Sequence, residues 1–213
     1  MLTTMKSKHI PRATIQRLAT YVQVLEALAR DGVKVVSSNP LAEACGVNGS
    51  QVRKDLAYFG EFGVRGVGYN VEALIRAITR SLGVDREWKM VLVGVGNLGR
   101  AILNHGDFRA RGFNIIGIFD CDPFKIGEIM HGMEVVCTDN LAEFVSKNDA
   151  EIAIIATPPE RAQRAAGHVV EAGIKSILNF APARIKTPSD VHVEYVDFFH
   201  HLYSLAFEKI CGV

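Results

Sequence analysis

Lys89-Met90-Val91-Leu92-Val93-Gly94-Val95-Gly96-Asn97-Leu98-Gly99-Arg100 is the stretch that decides the fold of this 213-residue chain. An apolar run enters a Gly-x-Gly-x-x-Gly turn, and Leu98, Ala101, Ile102 and His105 follow at helical spacing, which predicts strand, tight turn and helix. Each glycine has its own reason: Gly94 turns the chain, Gly96 lets the backbone approach a pyrophosphate, and Gly99 lets helix pack on strand. The anion is expected on the free N–H groups at the helix start. A second apolar run, Phe113-Asn114-Ile115-Ile116-Gly117-Ile118-Phe119, ends in Asp120, 21 positions beyond Gly99, where a carboxylate accepts hydrogen bonds from an adenosine ribose. That carboxylate would repel a 2′-phosphate, and Cys121 and Asp122 offer no arginine to receive one, so the pattern predicts NAD(H) rather than NADP(H). The same turn also occurs in CoA- and other nucleotide-binding α/β domains, and taken alone it leaves that reading open.

The rest of the second half follows the same alternation. Asp122 to Gly127, with Lys125, reads as a turn and short connector, and Met133 to Val136 as a strand. Asn140 to Val145 is expected to be helical, Glu151 to Thr157 a buried parallel strand stopped by Pro158-Pro159, Glu160 to Ala172 a helix, Ile174 to Leu178 a strand, and Val191 to Val196 a last strand. Ligands of open α/β sheets bind beyond the carboxyl ends of the strands, which puts Thr157, Pro158 and the Asn179-Phe180-Ala181-Pro182 segment at the ligand, the first two at its nicotinamide half. Phe198, Phe199, Leu202, Leu205, Ala206, Phe207 and Ile210 cover more than one face of a final helix, so it is expected to insert into a partner subunit.

The first 86 residues read differently. They hold twelve Lys and Arg against seven Asp and Glu, whereas the remainder holds twelve against sixteen; a basic front module of this kind suits a polyanion. Ile15, Leu18, Ala19, Val22, Leu25 and Leu28 form the apolar stripe of a helix from Ala13 to Ala29. Asn39 is the expected cap of a short helix, with Pro40 in its first position and Leu41, Ala44 and Cys45 inward. Asn48-Gly49-Ser50-Gln51 reads as a capping box opening a helix from Gln51 to Phe59. Val52, Leu56 and Phe59 would face the core and Gln51, Arg53, Lys54 and Tyr58 the outside, where arginine and lysine can meet guanine edges or phosphates and glutamine an adenine. Four glycines between Phe59 and Tyr69 predict a hairpin with Arg65 near its tip, and Asn70 caps a fourth helix through Leu74, Ile75, Ile78 and Leu82. Helix-turn-helix plus hairpin is a winged helix, its wing arginine suited to a narrow minor groove.

No apolar run approaches the roughly 18–20 residues that span a bilayer, and no signal-peptide pattern opens the chain, so a cytoplasmic protein is expected. Cys45, Cys121, Cys137 and Cys211 are scattered, which suggests reduced thiols and no zinc ribbon. His200 and His201, adjacent on a helix, point about 100° apart and make no metal pair. A small nicotinamide-dependent oxidoreductase is the rival reading. It would need a proton donor near the substrate, and His105 and His168 show no partner carboxylate in the sequence.

Taken together, Gln51-Val52-Arg53-Lys54-Asp55-Leu56-Ala57-Tyr58-Phe59-Gly60, Arg65-Gly66-Val67-Gly68-Tyr69-Asn70-Val71, Gly94-Val95-Gly96-Asn97-Leu98-Gly99 and Ile177-Leu178-Asn179-Phe180-Ala181-Pro182 resemble the Rex family of bacterial redox-sensing transcriptional repressors, from about Ile10 to the end. The resemblance implies a winged-helix domain over 1–86, a Rossmann-like NAD(H)-binding domain over 87–196 and a domain-swapped dimerisation helix over 197–213. It implies no enzyme but a homodimer that binds an inverted-repeat operator in double-stranded DNA, reads the balance of NADH to NAD+, and on binding NADH closes and releases the operator, derepressing genes of energy metabolism. The cofactor set is then Gly94, Val95, Gly96, Asn97, Leu98, Gly99, Asp120, Lys125, Thr157, Pro158, Phe180, Ala181 and Pro182, with Phe198 reaching the nicotinamide in the partner subunit. DNA would meet Ser50, Gln51, Arg53, Lys54, Tyr58, Arg65 and Gly66, and the switch and dimer contact would use His105, Asp197, Phe199, Leu202 and Leu205. Two positions depart from the family: a tyrosine is expected where His105 stands and an arginine where Gln23 stands. The polar relay from those positions to Asp197 is therefore expected to be wired differently, and a histidine there would make the response pH-dependent.

Overall fold

The computed structural model describes residues 10–60, 62–64, 66–106 and 108–212, in two compact units, Met1–Arg86 and Glu87–Val213. In the first, helices α1 (Arg12–Arg30), α2 (Ser38–Ala44), α3 (Gly49–Leu56) and α4 (Val71–Leu82) enclose a core, and strands β1 (Val35–Val36), β2 (Gly63–Val64) and β3 (Gly68–Asn70) make a small antiparallel sheet in the order β1-β3-β2. Leu18, Tyr21 and Leu25 of α1 meet Leu41, Val52, Leu56, Leu74 and Ile78, all fully or almost fully buried; each such side chain contributes about 1.5–3 kcal/mol.

Several local expectations shift. The buried stripe of α1 is Thr14, Leu18, Tyr21, Val22 and Leu25, while Ile15 and Ala19 are exposed: the face is rotated because Thr14 and Tyr21 bury polar atoms on a partner described below. Helix α2 starts at Ser38, so Ser37 rather than Asn39 precedes it, and Ala42 rather than Ala44 faces inward. Helix α3 begins at Gly49; Asn48 caps it by accepting from the Gln51 N–H at 2.8 Å, but the Gln51 side chain turns to Asp55 instead of completing the box. The Val35-Val36 run joins the wing sheet, Val36 pairing with Tyr69. Gly68 is at φ +109°, and a Cβ there would lie 2.6 Å from the Val36 carbonyl oxygen. Arg65 lies outside the described residues. Asn70 caps α4 by accepting from the Ala73 N–H.

The second unit is a sheet buried on both faces. Its strands are β4 (Trp88–Val93), β5 (Phe113–Asp120), β6 (Ile129–Met130), β7 (Met133–Cys137), β8 (Ile152–Ile155), β9 (Ser176–Asn179) and β10 (His192–Tyr195). Helices α5 (Asn97–Asn104), α6 (Leu141–Asn148) and α7 (Pro159–Glu171) connect them, and α8 (Phe198–Cys211) ends the chain. The order is β10-β9-β8-β4-β5-β7-β6, parallel except for the β6-β7 pair. Leaving β6 aside, this is the 3-2-1-4-5-6 order of a dinucleotide-binding sheet, with its switch point between β4 and β8. Alternation along β4 shows the layering: Val91 and Val93 pack with α6 and α7, while Met90 and Leu92 pack with Ile102 of α5 on the other face. The connector after Asp120 contains an unexpected hairpin, β6 to β7, whose two-residue turn sets His131 at φ 51° and Gly132 at φ 77°.

Helix α8 stands apart in chemistry. Phe198, Phe199, Leu202, Leu205, Phe207 and Ile210 are each more than half exposed, and none of its residues is buried within the chain. No helix among the described residues is long and apolar enough to cross a membrane.

Candidate nucleotide and nucleic-acid sites

The carboxyl ends of β4, β5 and β8 converge on a cavity of about 610 Å³ whose walls include Gly94, Gly96, Asp120, Lys125, Thr157 and Pro158. The three glycines of the fingerprint divide their tasks in space. A Cβ on Gly99 would sit 2.0 Å from the Gly94 carbonyl oxygen, and one on Gly94, at φ +98°, would sit 2.8 Å from Ala156 backbone. Gly96 has nothing within 4 Å of its would-be Cβ, so no internal contact demands glycine there and the space beside it is open.

Asp120 is almost fully buried. Its Oδ2 accepts from the Val95 N–H at 2.9 Å and from Lys125 Nζ at 3.0 Å, and its Oδ1 accepts from the Asp122 N–H at 3.0 Å. Burial alone would raise its pKa, but those three donors outweigh it and hold the carboxyl below the usual carboxylate value. It is therefore an anion that ties the glycine turn to the β5 end and keeps acceptor capacity for a ribose hydroxyl. Thr157 adds an orphan: its Oγ1 is buried without a hydrogen-bond partner.

Other predicted residues fall elsewhere. Val95 is buried and takes part through its backbone; Asn97 and Leu98 open α5. Phe180, Ala181 and Pro182 do not line this cavity. They follow β9 in a loop clamped by the fully buried Asn179, whose Nδ2 donates to the Ala181 and Ala183 carbonyls and whose Oδ1 accepts from the Ala181 N–H. Phe198 is exposed, and Asp197 caps α8 by accepting from the Phe199 N–H at 2.9 Å. His105 is exposed at the end of α5, its ring 5.6 Å from that of Phe108.

The sequence reading missed the α7 wall. Arg161, Arg164, Ala165 and His168 line the cavity at the spacing of one helical face, and that periodicity was the available signal. Arg161 donates to Cys121 Sγ at 3.4 Å, and His168 Nε2 lies 3.9 Å from Asp139, the carboxylate that no sequence spacing placed beside it. No group of three or more His, Cys, Asp or Glu residues fit to hold a metal occurs among the described residues.

In the first unit a second groove, about 520 Å³, runs between α3 and the wing and is lined by Ser38, Arg53, Ala57, Gly66 and Tyr69 among others. Arg53 anchors one guanidinium nitrogen on Ser38 Oγ at 2.7 Å, and Lys54 is exposed beside it. Tyr58 is half-buried. Ser50 donates its hydroxyl proton to Asn48 Oδ1 at 2.6 Å. On the buried face of α3 is Asp55, fully buried, accepting from Thr14, Arg17, Tyr21 and Gln51. Desolvation pushes its carboxyl up, and the four partners pull it below its ordinary value. The Asp55 hydrogen bond raises the Arg17 pKa further, and burial followed by Asp55 raises that of Tyr21.

Comparison with known proteins covers both units. Residues 9–57 match a family described as "Putative DNA-binding protein N-terminus", and residues 85–183 match the CoA binding domain family. The chain is 64% identical over 203 residues, 95% of its length and 92% of the relative's, to the redox-sensing transcriptional repressor Rex of Solidesulfovibrio magneticus. It is also 64% identical to that of Maridesulfovibrio salexigens, covering 95% of this chain and 97% of the relative. Among solved structures, the Rex-family repressor RSP in complex with β-NAD+ and operator DNA matches at TM-score 0.88 and 39% identity, covering 95% of this chain and 97% of that one. RSP in complex with β-NADH matches at TM-score 0.86 and 38% identity, covering 94% of each.

Proposed function

The chain belongs to the Rex family of redox-sensing transcriptional repressors, and from that premise we propose that it binds operator DNA through α3 and the wing and releases it when NADH occupies the cavity beside Gly96. The observation that carries this reading is the pairing, in one chain, of a helix-turn-helix bearing Arg53 and Lys54 with a dinucleotide cavity that has open space at Gly96 and an ionised acceptor at Asp120. The quoted relatives are named as repressors, not enzymes.

Gly96, Asn97, Leu98 and Gly99 would hold the pyrophosphate on the backbone N–H groups at the start of α5, while the N–H groups of Gly94 and Val95, donated to the Phe119 carbonyl and to Asp120, would shape the turn beneath it. Asp120, steadied by Lys125, would take the ribose hydroxyls, and the buried, unpartnered Thr157 Oγ1 in the same cavity wall would offer the ligand a further hydrogen bond. A bound dinucleotide supplies a nicotinamide that is a cation when oxidised and neutral when reduced. Phe180, Pro182 and the Phe198 of a second copy would offer apolar surface, the buried Ala181 fixing their loop on Asn179, and such a surface favours the neutral form. Helix α8, through Phe199, Leu202 and Leu205, would bury its apolar sides in that second copy, making a homodimer whose two α3 helices read an inverted repeat. Asp197 and His105 would shape the switch between the two states. We place the protein in the cytoplasm, where its operator and the nicotinamide pool are.

A glycine pair tests the cavity's part in release. Gly96→Ala is expected to melt as the parent does and to keep a promoter duplex, yet to need at least ten-fold more NADH for release; Gly99→Ala is expected to lose thermal stability, because its Cβ meets the Gly94 carbonyl. Unchanged release by NADH in Gly96→Ala would contradict the assignment.

A further inference from the structure

Gln51 does not choose freely which end of its amide it shows to solvent. The fully buried Asp55 carboxylate receives Gln51 Nε2 at 2.9 Å, Thr14 Oγ1 at 3.1 Å and Arg17 Nη2 at 2.8 Å on Oδ1, and Arg17 Nε at 2.6 Å and Tyr21 Oη at 2.8 Å on Oδ2. A carboxylate so supplied only accepts. Of the two near-isosteric ends of the Gln51 amide, only the NH2 can face it, and Oε1 is turned away. The neighbouring Ser50 has committed its proton to Asn48 Oδ1, so the start of α3 presents acceptor oxygens.

Those oxygens select their partner. Phosphate oxygens donate nothing, and in the major groove only the amino groups of adenine and cytosine donate. The second N–H of Gln51 remains beside Oε1, and an acceptor next to a donor complements adenine, with its N6 amino group and N7, whereas cytosine offers the amino group alone. We propose that Gln51, oriented by Asp55, reads an adenine in each half of the operator, Asp55 acting as the positioning residue. This rests on α3 being the DNA-reading helix.

Selection of a duplex from a randomised library by the full chain, at fixed salt with NAD+ present, defines the half-site. Each adenine in it is then replaced by purine, which lacks the N6 amino group. The expected result is one position per half-site at which purine weakens wild-type binding roughly ten-fold, with that sensitivity absent in Gln51→Met and every other position unaffected. Asp55→Asn, whose side chain can also donate, should broaden the selected base at that position alone; where this variant does not fold, Gln51→Met decides. A selected duplex with no purine-sensitive adenine that depends on Gln51, or a Gln51→Met loss spread evenly over all sequences with a smaller salt dependence, overturns the inference and leaves the repressor function standing. Failure to select any duplex overturns both.

Discussion

Asp55 is the fourth residue of Val52-Arg53-Lys54-Asp55-Leu56, where an acidic residue on a short helix reads as surface. Its partners Thr14, Arg17 and Tyr21 come from α1, 34 to 41 positions away, and only tertiary structure brings them together. That one cluster accounts for two departures from the sequence reading, the rotated face of α1 and the Gln51 side chain that leaves its capping box. Asp120 was legible by contrast, because the chemistry that needs it fixes its distance from a glycine turn; that Lys125 and the Val95 N–H would hold it was not. Since Asp55 titrates below its ordinary value in the folded chain, its stabilisation is complete above about pH 4 and is lost as the pH falls through the lower folded value. Asp55→Asn is expected to cost roughly 3 kcal/mol at neutral pH, by leaving Arg17 without its buried partner charge, and to show a shallower acid limb in denaturant-measured stability. An acid limb identical to the parent's would place the cluster's energy elsewhere.

At the scale of elements, long periodic segments were readable and short ones were not. The β6 hairpin is a pair of two-residue ladder positions, too short to show a period of two, and the connector therefore looked like a plain turn. Helix α7 was visible as a helix, but its Arg161, Arg164 and His168 face gained meaning only when β5 and β7 supplied the opposite wall. Helix α8 was the most informative: an apolar surface on more than one side predicts a helix that its own domain cannot cover, and within the chain it is uncovered. Leu202→Asp with Leu205→Asp is expected to give a monomer in sedimentation at micromolar concentration, correctly folded by circular dichroism and unable to hold an inverted-repeat duplex. A dimer that survives both charges would move the subunit contact away from α8.

For the molecule as a whole, the fold places two different kinds of site on one chain, and the charge follows them: the excess of Lys and Arg over Asp and Glu lies in the first 86 residues, where a polyanion would be met. Gln23 and His105 are both exposed positions, so neither contributes to a buried core. Redox sensing is tested by holding the sum of NADH and NAD+ constant at stated salt, varying only their ratio, and following retention of the protein on a duplex from its own promoter. Redox sensing predicts release that rises with the ratio and keeps its midpoint when the total pool is doubled. Release that tracks the total pool, or no release at any ratio, would contradict it.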